Sequence, residues 1–180
     1  MRVGLCLVPR VSLITGGVRS GKSAYAVKLA AERPGMRRAY VATGEASDEE
    51  MAARIARHKA ERPPDFVTVE EPVNVASALD ALNGRADIVI IDSLTVWVAN
   101  LMRIYSGEDA FCHEARTLVQ VMEQAPFDSI VVTDEVGSGI VPDNAVARHF
   151  RDLLGLANQR IARSATEVFL MVAGLPLRVK

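Results

Sequence analysis

Apolar and β-branched residues gather in short runs along the chain, at Val11–Thr15, Ala39–Thr43, Phe66–Glu70, Ile88–Asp92, Ser129–Thr133 and Glu167–Val172. Runs of this length, bounded by turn residues, predict strands. Between them apolar residues recur at helical spacing. Phe111, Ala115, Leu118, Val119 and Met122 share one face of one helix, and Val146, Phe150, Leu153, Leu154 and Ala157 one face of another. Alternation of this kind predicts an α/β fold, a mostly parallel central sheet with helices on both faces. Ile88–Ile91 is apolar without interruption, as a central strand covered on both sides requires.

No repeat, low-complexity tract or linker divides the pattern, so residues 11–180 read as a single domain. Residues 1–10 read as an extension of unassigned role; Gly4 and Pro9-Arg10 leave its apolar run too short for a secretory signal. Two helix starts are marked. Ser47-Asp48-Glu49-Glu50 resembles a capping box, with Ser47 as the cap. The helix it opens should run to about Glu61, because Arg62 precedes Pro63-Pro64. Pro142-Asp143 marks the start of a long helix ending near Ser164.

Composition narrows the classes. The 180 residues are 49% hydrophobic and 24% charged, which suits one packed core and excludes a disordered chain. A net charge of −1 argues against a nucleic-acid partner, which needs a basic surface. No run of about 18 apolar residues offers a membrane span. Cys6 and Cys112 form neither a metal spacing nor a disulfide framework, and a reducing cytoplasm is the simplest compartment.

The strongest chemical signal is Gly16-Gly17-Val18-Arg19-Ser20-Gly21-Lys22-Ser23, which fits the phosphate-binding pattern G-x-x-x-x-G-K-S between a strand and a helix. Its glycines allow backbone N–H groups to converge on a phosphate, with Lys22 reaching the β and γ phosphates and Ser23 serving Mg²⁺. The second metal ligand should end another strand. Asp92, closing Ile88–Ile91, is the preferred carboxylate. Asp134 and Glu135 are the competing pair, assigned instead to lining the pocket or holding the loop 137–142, whose Gly137 and Gly139 suggest flexibility. No Asn/Thr-Lys-x-Asp sequence follows a strand, so ATP and GTP both stay open.

Among the histidines, His113 lies off its helix's apolar stripe and His149 adjoins one, able to pack or to meet substrate. His58 shares a helix face with Met51 and Ile55 and is flanked by Arg54, Arg57, Lys59 and Arg62. A half-buried packing side chain is the plain account of such a residue. The cations favour the alternative: they attract an anionic phosphate chain and favour a neutral imidazole, which can attack phosphorus.

Taken in order, these segments resemble the bifunctional adenosylcobinamide kinase/adenosylcobinamide-phosphate guanylyltransferases. The resemblance is carried by Thr15–Ser23, Tyr40–Gly44, Asp48–Ile55, His58-Lys59, Arg62-Pro63, Asp92–Trp97 with Asn100, Glu135–Pro142, Ala147–Asp152 and Asn158-Gln159. It implies phosphorylation of adenosylcobinamide by a nucleoside triphosphate, then transfer of GMP from GTP through a guanylylated histidine, matched by His58. It further implies nucleotide contacts at Thr43, Gly44, Glu45, Lys59, Ala60, Glu61, Arg62, Glu70 and Asp92, and a homotrimer. Ser93 stands where the family often has cysteine, and Asp134 where it often has asparagine. A plain P-loop kinase in which His58 only packs, or a non-catalytic nucleotide-binding module, are the competing functions.

Overall fold

The computed structural model describes residues 9–180 except 47, 61 and 106 and the side chain of Arg54. Residues 1–8, the proposed cap Ser47 and the proposed contact Glu61 therefore lie outside the described residues. Arg10 already belongs to the sheet's hydrogen bonding, its carbonyl accepting from Ser129 N at 2.8 Å.

The elements are β1 (Val11–Gly16), α1 (Lys22–Glu32), β2 (Arg38–Ala42), α2 (Glu49–Ala60), β3 (Phe66–Glu70), α3 (Val75–Asp80), β4 (Ile88–Asp92), α4 (Leu94–Ile104), α5 (Glu108–Gln124), β5 (Asp128–Val132), α6 (Ala145–Ser164), β6 (Glu167–Val172) and β7 (Leu175–Arg178). The sheet order is β3-β2-β4-β5-β1-β6-β7. All neighbours are parallel except β6 and β7. The sequence-predicted α/β fold is the one observed.

Strand alternation splits the core into two layers. Leu13, Val41, Val89, Ile91 and Val131 face a cluster completed by α3, α4, α5 and α6, with Trp97 buried and its Nε1 donating to Val73 O at 2.7 Å. Ile14, Tyr40, Ile88, Ile90, Ile130 and Val132 face the other way, onto Ala26 and Ala30 of α1. The same alternation carries Asp92 and Asp134 onto the α1 face, at the end of the sheet where the loop 17–21 lies.

Several expected boundaries move by a residue or two, each for a local reason. Asp48 caps α2, accepting from Met51 N at 2.7 Å. Asn144, not Pro142-Asp143, caps α6 through bonds from Val146 N and Ala147 N at 2.8 and 3.3 Å. Val146 in that first turn is 67% exposed, so the packing face begins only at Phe150. Ser93 is the N-cap of α4, accepting from Val96 N at 3.2 Å, a task that suits serine. The strand β7 had no clear period of its own: it is short, holds Pro176, and pairs as an edge after an Ala173-Gly174 turn with φ of 51° and 84°.

Opposite the loop 17–21, Asp87 ties the segment before β2 to β4. Its carboxylate accepts from Met36 N at 3.1 Å, Arg37 N at 3.0 Å and Arg37 Nε at 3.1 Å. Those bonds, the Arg37 guanidinium first, hold its pKa down to about 2 from an ordinary 3.8. A carboxylate that titrates lower when folded stabilises above its ordinary value and loses that contribution as pH falls toward the folded one. Asp87→Asn should therefore lower the melting temperature by a few degrees at pH 7, with the gap to the parent protein closing between about pH 4 and pH 2 in thermal melts. A gap that stays constant over that range would count against the ion pair.

Candidate active site

The turn from β1 into α1 is shaped by what packs behind it. A Cβ on Gly16 would stand 2.6 Å from Met171 O of β6, so only glycine fits there. Gly21 caps α1 with φ 90° and lies against Gly174, whose N donates to Ser20 O at 3.1 Å. The β6–β7 turn is thus a brace for the loop, a contact no local sequence pattern announces. Arg19, with φ 57°, completes the curl.

Around the loop lies a cavity of about 580 Å³. It is lined by Val18, Arg19, Ser20, Gly21, Lys22 and Ser23, with Asp92 and Asp134 from the strand ends. It is lined also from α2 and the segments beside it, including Gly44, Arg57, His58, Lys59, Arg62 and Glu70. Gly16 and Gly17 are not among its lining residues. The structure therefore brings together residues from most of the segments singled out in the sequence.

Lys22 is nearly buried, and its Nζ donates to Gly17 O at 2.6 Å and pairs with Asp134 Oδ1 at 2.7 Å. Asp134 is itself fixed from two helices: its N donates to Thr95 Oγ1 at 2.8 Å, and its carbonyl accepts from Asn158 Nδ2 at 3.1 Å. A carboxylate so placed competes with an incoming phosphate for the same ammonium. Asp134→Asn is accordingly expected to tighten nucleotide binding by about fivefold in calorimetry, the scale of one partly screened charge contact. Weaker binding would show that the pair instead prepares the loop.

Asp92 accepts a short hydrogen bond from the Tyr40 hydroxyl. Burial first, then the Asp92 charge, keep that phenol protonated far above its usual range. Arg62 rests on the Tyr40 ring with its guanidinium carbon 4.4 Å from the centroid. Lys59 is ion-paired with Glu70. Ser20 Oγ and Arg62 Nε and Nη1 are buried with no hydrogen-bond partner among the described residues, leaving unsatisfied donors to meet an anion.

Thr43, Glu45 and Ala60 are not among the lining residues. Thr43 is fully buried: its hydroxyl donates to Ser93 O at 2.8 Å and accepts from Ser93 N at 2.9 Å, while its carbonyl accepts from Asn100 Nδ2 at 2.9 Å. It joins β2 to β4 and does not line the cavity. Glu45 points to Arg103 at 3.1 Å, and Ala60 is exposed at the end of α2. His113 and His149 are both exposed. Glu135 accepts from Gly137 N at 2.7 Å, holding the loop as expected. The expected flexibility of that loop is countered by α6: Arg148 Nη1 donates to the Pro142 and Asp143 carbonyls at 2.9 and 2.7 Å, and Arg151 donates to those of Gly137 and Ile140.

A strand, a glycine loop, a helix-borne lysine and a strand-end aspartate around one cavity define a P-loop nucleotide-binding protein. The fold agrees. The chain superposes on a type III secretion system ATPase of pathogenic bacteria with a TM-score of 0.60 at 12% identity, covering 94% of this chain and 56% of that one. The flagellar accessory protein FlaH of Methanocaldococcus jannaschii gives 0.52 at 15% identity, covering 96% and 80%. Within that class the chain belongs to the CobU family, cobinamide kinase / cobinamide phosphate guanyltransferase, whose model matches residues 12–179. It is 38% identical over 180 residues to the bifunctional adenosylcobalamin biosynthesis protein CobU of Salmonella typhimurium, covering 93% of this chain and 98% of that one. The CobP protein of the same description in Pseudomonas aeruginosa is 38% identical over 168 residues, covering 93% and 96%.

Proposed function

We propose that this protein phosphorylates adenosylcobinamide with a nucleoside triphosphate and then transfers GMP from GTP to the product, through His58. The observation that carries the proposal is that His58 lines the same cavity as Lys22, Ser23 and Asp92. Family membership supplies the substrate class. In the first step the substrate hydroxyl oxygen bonds to the γ phosphorus and gives up its proton to solvent, the bond to the β-phosphate oxygen breaks, and the nucleoside diphosphate leaves. In the second, an imidazole nitrogen of His58 attacks the α phosphorus of GTP and pyrophosphate leaves. An oxygen of the cobinamide phosphate then takes the GMP group as the P–N bond breaks, giving adenosylcobinamide-GDP and free His58.

The chain's own residues position and neutralise. Lys22 and the loop N–H groups meet the triphosphate, while Lys59 and Arg62 carry positive charge into the cavity that His58 lines. Gly44 and Glu70 border the space left for the nucleoside. Ser23 and Asp92 present oxygen donors on the same wall, the ligand type that Mg²⁺ prefers. Among the described residues no group of three or more His, Cys, Asp or Glu could hold a metal by itself. Such a site fits Mg²⁺ held by one or two side chains together with phosphates. When bound, the ion would offset charge on the phosphate oxygens.

Residues 11–180 act as one domain in this reading, and the active form is a homotrimer in the cytoplasm. No helix among the described residues is long and apolar enough to cross a membrane. The experiment is product analysis with adenosylcobinamide as acceptor and a mixture of ATP and GTP in which either the γ phosphates of both or the α phosphate of GTP carry the label. Label from both positions should reach corrinoid products in sequence. Transfer of γ label alone would reduce the protein to a plain kinase, and transfer of neither would leave a binding module.

A further inference from the structure

One side chain, Tyr40, touches two residues of the cavity wall, Asp92 and Arg62, that come from different segments. Tyr40 lies on β2, where its register partner on β4 is Ile90 and the next pair but one is Ala42 with Asp92. Tyr40 and Asp92 are therefore diagonal neighbours on one face of the sheet, a separation that an aromatic side chain spans. Its hydroxyl donates to Asp92 Oδ2. Its ring carries Arg62 at 4.4 Å, inside the range of a cation–π contact. Arg62 follows His58 by four residues. Tyr40 itself is only 3% exposed, so neither contact has room to drift. It also lines a neighbouring hollow of about 310 Å³ bordered by Ser23, Val27, His58 and Arg62.

We propose that Tyr40 is a positioning residue for both transfers, its hydroxyl orienting the Asp92 carboxylate and its ring seating Arg62 beside His58. This rests on the roles given above to Asp92 and Arg62. Partners that orient a ligating carboxylate are worth about 10–100-fold in metal affinity. The ring acts separately: without it the Arg62 guanidinium, whose Nε and Nη1 have no hydrogen-bond partner among the described residues, loses the surface on which it rests. Tyr40 also belongs to the α1-side core, so simple packing is the alternative to be excluded.

Two variants separate the contributions. Tyr40→Phe keeps the ring and removes the hydroxyl; Tyr40→Leu removes both. Binding of Mn²⁺ to the protein with a non-hydrolysable GTP analogue is followed by electron paramagnetic resonance, and metal-free analogue binding by calorimetry, with melting temperature recorded for each. Tyr40→Phe should weaken Mn²⁺ binding about tenfold and leave metal-free analogue binding within about twofold. Tyr40→Leu should add a loss of several-fold in metal-free binding. Parent-like Mn²⁺ affinity in Tyr40→Phe would overturn the proposal, as would a loss in Tyr40→Leu explained by a melting temperature below the assay. These binding readouts do not depend on turnover, so a wild-type protein that fails to transfer GMP would overturn the proposed function without obscuring this one.

Discussion

Lys22→Ala is expected to lower kcat/KM for corrinoid phosphorylation about a thousandfold, the scale of removing a preorganised charge from a transferring phosphoryl group. Two effects combine. The ammonium that meets the phosphates is lost, and the Asp134 carboxylate, paired with it at 2.7 Å, is left facing the site unopposed. They can be told apart. Lys22→Ala combined with Asp134→Asn should recover part of the loss, because the repulsive charge is gone while the missing cation is not. Steady-state kinetics with adenosylcobinamide and a nucleoside triphosphate read both. A single-variant loss below tenfold would mean that Lys22 serves the loop rather than the phosphates.

His58→Ala should divide the two activities. GMP transfer is expected to fall more than a thousandfold, since no other described histidine lines the cavity and nothing replaces the nitrogen nucleophile. Phosphorylation should stay within about threefold, because Lys22 and Ser23 come from α1 and Asp92 from β4, and none of them from α2. The variant should fold as the parent does, because no described α2 side chain is buried. Separate assay of cobinamide phosphate and cobinamide-GDP measures the split. Equal loss of both activities would contradict the division of labour.

What was legible in the sequence followed from local period and local chemistry. β-branched runs gave β3, β4 and β6 with their observed ends: β4 is apolar because both its faces are buried, whereas β3 is a largely exposed edge strand that shows itself only by its β-branched residues. The glycine loop was legible because its geometry needs glycines at fixed spacing before a lysine. The side of α2 that carries His58 was legible from Met51 and Ile55, which line the cavity beside it.

The remainder depends on which strands lie side by side. Tyr40 and Asp92 are 52 residues apart and meet only because β2 neighbours β4. Lys22 and Asp134 meet because β5 lies next to β1. Thr43 is a site residue by what the family resemblance implies, and no local pattern shows that the β2–β4 pairing turns its hydroxyl onto Ser93. Likewise the Gly137–Pro142 loop reads as free until α6 is laid beside it, bringing Arg148 and Arg151 to its carbonyls. Sheet order and helix docking are long-range properties, and a one-dimensional pattern carries them only weakly.

The central claim is a covalent GMP on His58. Purified protein incubated with Mg²⁺ and GTP, with no corrinoid, should be weighed intact at neutral pH and again after acid. The account predicts a gain of one GMP that acid removes, with pyrophosphate released in equal amount and no gain in His58→Ala. Unchanged mass in the wild-type protein, while GTP is bound, would contradict it.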